Sequence, residues 1–596
     1  MPKNPQPDPE AKLWEVRRKL ADKHYHDWLN RFDVDRLQDY YEGKQFKGVD
    51  PLSPDAPYVV NKVLTTVEAQ KPTMLSDTPR HRVIPVPGLR DDLSEFDPRV
   101  ELMERTIDTL VRRRDMHYMD HVTQAFHNSF FGPGILQVGY SNTFDKNPNA
   151  GKPIMVPGED GSDVPKRDPE TNEVMVEPPE IAVEEQLFFK CIPFKTFRVN
   201  HNSTYILENN DWCGYWEVFR VSDMLERFPE ITARRELLED YVPDEMKAYG
   251  RESVDKIGAE CKAWRIWDLN AGLEVMVSGG LMLESRPFSV FPLADLRYLP
   301  WKQHWWPLPP TYNWISPQRA INYARNLLIR HVRQGIARYI GHKRAFNPEE
   351  LERTLRSDDV EIAWTEEEIE DLSQAIQLIP QPSLGLDFHR GLNVMDDDFI
   401  ESSGVGGEQR GLAEAGTATQ ASILDARAQS REEGSREKLR TTLGKLGRAA
   451  LLTIRENFGL DMVIRINVDP SRADAEAKLQ EVFQTVNAID QFPSVDFEVQ
   501  VDLISQNPAS KQLERSAWGQ VLQLLSVPGV AAALSQSPLL LKKTLDQFDI
   551  VSEQEISEVQ KALAAAVQAQ QQPPAAEGGG GPQGLVEQFI QQGGAA

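Results

Sequence analysis

The sequence predicts an α+β fold that is mostly helical. Apolar residues recur near the 3.6-residue period of a helix through most of the first 130 residues, again from 316 to 338, and over an unusually long segment from 417 to 458. Between Ile135 and Trp267 the period falls towards two, which is typical of strands. The chain has 596 residues, 40% of them apolar, so we expect about three or four domains.

The N-terminal part is predicted to be helical with one short strand. Residues 1–50 are charged and carry an apolar stripe near the helical period, made of Trp14, Leu20, Trp28 and Phe32. Ala56–Leu75 continues as a helix that Pro72 should break. Residues 81–88, HRVIPVPG, predict a strand, and one long helix is expected from Pro98 until a Gly-Pro-Gly sequence.

The strand-rich part contains five short pieces of alternating pattern: ILQVGY, QLFFKCI, FRVN, CGYWEVFRV and CKAWRIWDL. Residues 142–182 between them are acidic and rich in proline. That composition is compatible with a hairpin excursion or with a disordered surface loop.

A tryptophan-rich segment precedes the first of two helices. Its four indoles suggest a packed collar, with a stacking platform for bases as the alternative: Trp301, Trp305, Trp306 and Trp314. Ser316 and Pro317 then form a good N-cap and first helical position.

Charge is sorted by segment after this point. Ser316–Pro348 has no acid and carries +7, whereas Ser357–Asp371 has eight acids and no base. Such runs are commonly solvated faces, but adjacent runs of opposite sign also suit a part that stacks against copies of itself. A strand, AIQLIPQP, and a second short helix at 384–403 follow.

A Gly-rich loop leads into the longest helix. Five glycines fall within residues 404–416, but Leu412 and Ala413 stand where a nucleotide-binding P-loop needs Lys and Ser/Thr, so we expect no bound nucleotide. Thr417 and Gln420 form a capping box that starts the long helix. Its buried positions are predicted to be Leu439, Leu443, Leu446, Ala450, Ile454 and Phe458, with a kink at Gly434 and Ser435.

The C-terminal part is predicted in three pieces. Residues 459–505 hold two strands, MVIRINVDP and FEVQVDLI, around a helix, SRADAEAKLQEVFQTVNAI. Residues 506–570 are helical. The low-complexity residues 571–596 predict a disordered tail.

Composition and motifs argue against catalysis. A net charge of −25 disfavours non-specific adhesion to nucleic acid, and the three cysteines form no CxxC pair. His117 and His121 are four residues apart, but Tyr118 stands where a zinc-protease motif needs Glu. No acid pair, serine elbow or nucleophilic cysteine stands out. We expect no enzyme, no cofactor, no metal, no signal peptide and no membrane span.

The order of parts resembles the portal proteins of tailed bacteriophages over about residues 50–570. Two motifs carry this resemblance: the Q-x-x-x-N helix at Gln318 and Asn322, and the TAT-polar helix start at Thr417–Gln420. A charged insert between two helices, then a Gly-rich loop and a very long helix, complete the pattern.

The resemblance implies a ring-forming subunit with wing, stem, clip and crown regions. The regions map in chain order as follows: wing 1–315, first stem helix 316–338, clip 339–383, second stem helix 384–403, tunnel loop 404–416, long wing helix 417–458, wing strands and helix 459–505, helical crown 506–570, and tail 571–596.

The resemblance also implies the function and the partners. A portal is a ring, usually of twelve subunits, at one capsid vertex of the virion; a large terminase drives double-stranded DNA through it, and the DNA later leaves by the same channel. Its other partners would be the major capsid protein and a head-completion or tail adaptor protein. The chain would be made in the host cytoplasm and would contact no membrane.

Two sets of site residues follow from the resemblance. The DNA-facing tunnel loop would contain Gly404, Gly406, Gly407, Glu408, Gln409, Arg410 and Gly411. The clip surface that meets the terminase or adaptor would contain Asp358, Asp359, Glu361, Glu366, Glu367 and Glu368. The alternatives are a virion scaffold or adaptor without a channel and, disfavoured by the missing motifs, a packaging ATPase or nuclease.

Overall fold

The computed structural model describes the chain with gaps, and every described residue lies in its first compact unit, Met1–Ile504. The described residues are 6–49, 53, 56–75, 78–85, 98–146, 152–153, 155–157, 163–165, 174, 180–242, 259–334, 339–341, 347, 349, 376–378, 386–405, 418–458, 462–465, 483–486 and 497–502. The predicted crown and tail lie outside them.

The fold mixes helices and antiparallel sheets, with more described residues in helices than in strands, as the predicted class requires. The α-helices are α1 (Pro9–Phe32), α2 (Val34–Tyr41), α3 (Lys62–Met74), α4 (Pro98–Arg112), α5 (Tyr118–Asn128), α6 (Val221–Arg227), α7 (Ile315–Gln334), α8 (Leu386–Ser403) and α9 (Ala418–Asn457). Short 3-10 helices span Arg114–Met116, Leu207–Asn209, Pro229–Leu237 and Pro310–Trp314.

The strands are β1 (Arg80–Pro85), β2 (Gly134–Lys146), β3 (Met155–Pro157), β4 (Asp163–Pro165), β5 (Glu180–Ile192), β6 (Phe197–Val199), β7 (Trp212–Arg220), β8 (Glu239–Tyr241), β9 (Glu260–Asp268), β10 (Leu273–Ser278), β11 (Leu281–Pro287), β12 (Leu293–Leu296), β13 (Leu299–Trp301), β14 (His304–Leu308), β15 (Tyr339–Gly341), β16 (Ile376–Leu378), β17 (Met462–Arg465), β18 (Phe483–Val486) and β19 (Phe497–Asp502).

The largest sheet runs β11-β10-β9-β7-β6, with β8 also paired to β9. A three-stranded sheet has the order β12-β2-β5, and the other strands form two-stranded ribbons. All five strand-like pieces of the sequence are confirmed in β2, β5, β6, β7 and β9, whereas the β10–β11 and β13–β14 hairpins were not predicted.

Helix α1 buries one continuous stripe, though not quite the predicted one. Its buried positions alternate at three and four residues: Ala11, Trp14, Arg18, Ala21, Tyr25, Trp28 and Phe32. Leu20 was predicted to belong to this stripe, but it is 46% exposed. The stripe instead includes Arg18, whose guanidinium lies over the Trp264 ring and pairs with Glu239 at 3.0 Å.

The tryptophan collar is confirmed as packed core for three of its four members, and Trp301 is only partly buried. Trp305, Trp306 and Trp314 are buried in the main hydrophobic cluster, and Trp306 stacks on Trp28 with ring centroids 4.8 Å apart. The Trp28 indole N–H donates to the carbonyl of Pro307 at 2.8 Å. These three buried rings are closed to bases, so the stacking-platform alternative is wrong for them.

Two helix predictions near the N-terminus are wrong in their extent. Residues 56–61 are neither helix nor strand, so the helix predicted over Ala56–Leu75 is only α3, and Pro72 lies inside it instead of ending it. The helix predicted from Pro98 is interrupted between α4 and α5. Arg113 is extended there and His117 has a φ of 46°, so the chain turns before α5 begins.

Part of the acidic stretch 142–182 belongs to a hairpin. Strands β2 and β5 pair from Ile135 with Ile192 out to Lys146 with Glu180, and β3 pairs with β4 within the excursion. The hairpin alternative is therefore confirmed for the described residues, and the remaining residues of the stretch lie outside them.

The long helix is confirmed as the 40-residue α9. All six predicted core positions, from Leu439 to Phe458, are buried, and helical structure continues through Gly434 and Ser435. The capping box at Thr417 lies outside the described residues. Past α9, part of the predicted helix SRADAEAKLQEVFQTVNAI is instead strand β18, which pairs with β17 because Phe-Gln-Thr-Val suits a strand.

Candidate functional site: the α7–α8 helix pair and its loop

Helices α7 and α8 pack against each other. Two basic side chains, one from α3 and one from α7, contact the same acid of α8. The Lys62 ammonium lies 2.6 Å from one Asp396 oxygen, and the Arg325 guanidinium of α7 lies 3.6 Å from the other. Phe399 is fully buried one turn further along α8 and packs near Trp314. This acid fixes α8 against both α3 and α7.

Three amides of α7 bind the backbone that leads into α3. Gln318, Asn322 and Asn326 are spaced by four residues, and the segment Tyr58–Lys62 runs beside them. The Tyr58 and Val60 N–H groups donate to Asn326 and Asn322 at 2.8 and 3.1 Å, and the Lys62 N–H donates to Gln318 at 3.1 Å.

The amide N–H groups complete the pairing in the other direction. Gln318 donates to the Val60 carbonyl at 2.6 Å and Asn326 donates to the Tyr58 carbonyl at 2.8 Å. Asn322 donates to Gln45, which is itself buried. We call this set the amide ladder: Gln318, Asn322 and Asn326 with Tyr58, Val60 and Lys62.

The ladder works because two repeats coincide. Four helical residues rise about 6 Å. Two strand residues rise about 6.6 Å. Asn326 and Asn322 can therefore meet Tyr58 and Val60, which are two residues apart. The chain then turns at Asn61, where the Lys62 N–H also donates to the Val60 carbonyl at 2.9 Å. The Q-x-x-x-N motif at Gln318 and Asn322 is thus buried, at 0% and 3% exposure, and positions α7 on the body of the protein.

The outward faces of the helix pair carry apolar and charged side chains. Tyr323 is 69% exposed, Val332 is 64% exposed and Val394 of α8 is 57% exposed. Arg319 and Arg330 are exposed on α7, and Asp397 and Asp398 are exposed on α8. Among the described residues, these four charged groups have no ion-pair partner. The pair thus leaves a mixed surface uncovered in one copy.

Helix α8 ends at the first glycine of the predicted tunnel loop. Gly404 has a φ of 73°, and its N–H donates to the Ile400 carbonyl at 2.8 Å. This left-handed residue closes the helix, a conformation that glycine adopts without steric cost. Val405 is then buried. The other predicted loop residues lie outside the described ones: Gly406, Gly407, Glu408, Gln409, Arg410 and Gly411.

The predicted clip is described only at its base. Strands β15 and β16 pair there, with Tyr339 opposite Leu378 and Gly341 opposite Ile376, which confirms the strand predicted from AIQLIPQP. The six predicted contact acids lie outside the described residues: Asp358, Asp359, Glu361, Glu366, Glu367 and Glu368.

The described residues hold no group of three His, Cys, Asp or Glu side chains suited to a metal ion. The His117 ring lies 3.1 Å from Asp120, and the His121 ring accepts from the Cys191 N–H at 3.4 Å. Burial raises the pKa of the Cys191 thiol to about 12 and that of Cys261 to about 11, which disfavours the reactive thiolate. No helix in the described part of the chain combines the length and apolarity needed to cross a bilayer.

Sequence reasoning missed three members of this site. Asn326 extends the Q-x-x-x-N motif by one more interval of four, a signal that was present in the sequence. Lys62 and Asp396 are 334 residues apart, so their contact had no local signal. The sequence matches no model of a known protein family and no curated protein.

Proposed function

We propose that this chain is a portal subunit, forming a ring at one capsid vertex through which double-stranded DNA is packaged by a terminase and later ejected. One observation carries the proposal. A helix pair with an uncovered outward surface, α7 and α8, is followed by a 13-residue Gly-rich segment and then by the 40-residue α9.

The uncovered surface supports self-assembly. Tyr323 of α7 is 69% exposed and Val394 of α8 is 57% exposed, and exposed apolar side chains of this kind can mark a site where another molecule packs. The amide ladder and Asp396 hold the two helices firmly on the body, so the surface is presented in one fixed orientation. A rigid, uncovered helical face suits contact with another copy.

The charge supports a channel that lets DNA slide. Twelve copies at −25 would carry about −300, so the ring as a whole repels phosphates. In this proposal the loop residues Gln409 and Arg410 face the DNA, and the clip acids meet the terminase or the adaptor. The major capsid protein surrounds the ring, and no cofactor takes part.

The test is electron microscopy of the purified full chain, with the symmetry counted from class averages. We expect a roughly twelvefold ring with an axial hole of about 20 Å or more, because the major groove of B-DNA alone is about 12 Å wide. A chain that stays monomeric at every concentration and in expressed capsids would overturn the proposal. Rings without an axial hole would favour the scaffold or adaptor alternative.

A further inference from the structure

An open groove of about 460 Å³ lies between helices α2 and α5 and the turn that follows β5. Its volume falls within the range of ligand sites in proteins. Helix α5 lines it with His121, Gln124 and Asn128, which fall within about 60° of one another around the helix axis. Helix α2 contributes Gln38. The groove thus brings three side-chain amides together.

These amides have hydrogen-bonding capacity that the described residues do not use. The Gln38 and Gln124 side chains form no hydrogen bond within the described part of the chain. The Asn128 amide nitrogen donates to the Cys191 sulfur at 3.6 Å, and its oxygen has no partner among the same residues. Each amide group can both donate and accept, so the groove offers donors and acceptors to a ligand.

His121 adds a donor to the groove. Its Nδ1 accepts from the Cys191 N–H at 3.4 Å, so in the neutral ring the proton lies on Nε2. Burial, with His117 adding to the shift, lowers the pKa of His121, so the ring is neutral at pH 7. The Nε2–H group can then donate to a carbonyl oxygen of a ligand.

The charged side chains that line the groove already have partners. The Lys195 ammonium lies 2.7 Å from Asp35, and the Asp120 carboxylate lies 3.1 Å from the His117 ring. A nucleic acid would need free cations for its phosphates and an open aromatic face for its bases, but Phe194 is only 3% exposed. The lining therefore suits an uncharged ligand that is rich in amide groups.

The amide ladder shows which ligand this arrangement fits. On α7, Asn322 and Asn326 bind backbone groups that are two residues apart in the segment 58–60. On α5, Gln124 and Asn128 have the same spacing of four residues, a rise of about 6 Å. We infer that the groove is a docking site for an extended, uncharged segment of a partner polypeptide, held by its backbone N–H and C=O groups.

The groove has room for a short segment. The distance along α5 from His121 to Asn128 is about 10 Å at 1.5 Å per residue. An extended chain rises about 3.3 Å per residue, so this face meets about three residues of the partner. The groove is formed within one copy of the chain. The inference therefore goes beyond the proposed function and does not depend on the ring.

A peptide library tests the inference. Peptides of five uncharged residues, acetylated and amidated at their ends, are passed over the immobilised full chain, and the Kd of each retained peptide is measured by calorimetry. We expect Gln38→Met with Gln124→Met to weaken binding about tenfold or more, because two amide groups that bind the peptide are lost. The matched control is Gln303→Met, at an exposed position outside the groove, which should bind as the wild type does.

Methylation of the peptide backbone separates backbone recognition from side-chain recognition. Each N–H of a retained peptide is replaced in turn by N–CH3, which leaves every side chain unchanged. Successive N–H groups of an extended chain point to opposite sides, so we expect binding to be lost at alternate positions only. This measurement uses the wild-type protein, so it does not depend on the folding of a variant. Loss at every position, or at none, would contradict backbone docking.

Three further results would overturn the inference. The first is a library from which no peptide is retained. The second is a Gln38→Met, Gln124→Met variant that keeps the wild-type affinity. The third is stronger retention from a parallel library of charged peptides, which would show that Lys195 and Asp120 select the ligand. A chain that binds the uncharged peptides but forms no rings would overturn the proposed function alone.

Discussion

At Gly444, the absence of a side chain sets how closely strand β19 can lie to helix α9. A Cβ at this position would sit 2.4 Å from the Val499 carbonyl oxygen, nearer than real Cβ atoms approach backbone. The neighbouring Arg448 side chain donates to the Phe497 carbonyl at 2.9 Å. Helix α9 therefore covers one edge of the β1–β19 ribbon through a glycine and an arginine four residues apart.

We expect Gly444→Ala to lower the free energy of unfolding by about 1–3 kcal/mol, because the strand must move away from the helix. Gly434→Ala is the matched control, since a Cβ there meets nothing within 4 Å. Alanine should raise stability at that position by about 0.5–1 kcal/mol. Urea unfolding of both variants measures the difference, and equal effects would contradict the close approach.

Asp8 fixes the start of helix α1 to the sheet and to a 3-10 helix. Its carboxylate accepts from the Met282 N–H at 3.1 Å and pairs with Arg234 at 2.5 Å. Burial by itself would raise the pKa of this carboxyl. The hydrogen bond from Arg234, the Met282 N–H and the Arg234 charge together outweigh burial and lower the pKa below its ordinary value.

The lowered pKa of Asp8 gives a stability contribution with a defined pH dependence. The contribution is complete above the unfolded pKa, about 3.9, and is lost as the pH falls through the folded value. We expect Asp8→Asn to be less stable than the wild type at pH 7, and we expect the difference to be smaller at about pH 3. Denaturant midpoints at both pH values check this, and an unchanged difference would refute the ionic role.

At the scale of elements, side chains spaced along helices form hydrogen bonds with backbone groups that no neighbouring strand pairs. The amide ladder does this for Tyr58–Lys62. Helix α4 does it for β1, where the Val83 N–H donates to Glu104 at 2.7 Å and the His81 N–H donates to Asp108 at 3.1 Å. Pro85, the next position on that edge of β1, has no N–H. Edges covered in this way are closed to pairing with another chain.

The amide ladder predicts a graded loss of stability. Gln318→Met removes two hydrogen bonds, to the Val60 carbonyl and from the Lys62 N–H, and leaves only the 2.9 Å bond between these two groups, so we expect a loss of about 1–3 kcal/mol. Asn326→Met removes a hydrogen bond that is exposed to solvent, so the loss of stability should be smaller. Chemical unfolding of the two variants gives the comparison. Equal losses would show that burial does not determine how much each amide hydrogen bond contributes to stability.

Element types were more predictable than element limits. Helix α9 and the strands β2, β5, β7 and β9 followed from the pattern of apolar residues, many of which are buried among the described side chains of these elements. The non-helical segment 56–61 was missed because its backbone is paired by amides from residue 318 onwards, which no local pattern reveals. The break between α4 and α5 depends on single dihedral angles at Arg113 and His117.

At the scale of the whole molecule, the sequence predicted the order of parts around the candidate site but not its contacts. The two helices and the glycine that ends α8 fall where the sequence placed them. Asp396 is one of three consecutive aspartates, yet Asp396 is paired with Lys62 while Asp397 and Asp398 are exposed. Which member of a run faces inward depends on packing between distant segments.

Partly buried histidines make stability of the whole fold depend on pH. Burial lowers the pKa of His24, with the nearby His304 and His201 adding to the shift and Asp27 opposing it. Burial also lowers the pKa of His127, where Lys71 adds to the shift and Glu68 opposes it. His24 and His304 face each other with ring centroids 5.1 Å apart. The folded state therefore favours neutral rings at both sites.

A folded pKa below the unfolded value means that the unfolded chain binds more protons, so stability should fall as the pH drops through the unfolded pKa of about 6.5. We expect the melting temperature to decline between about pH 7 and pH 5, and we expect His24→Gln with His127→Gln to flatten that decline. His26→Gln, at an exposed position, is the control and should leave the slope unchanged. A double variant whose melting temperature falls as steeply as that of the wild type would place the acid sensitivity elsewhere in the chain.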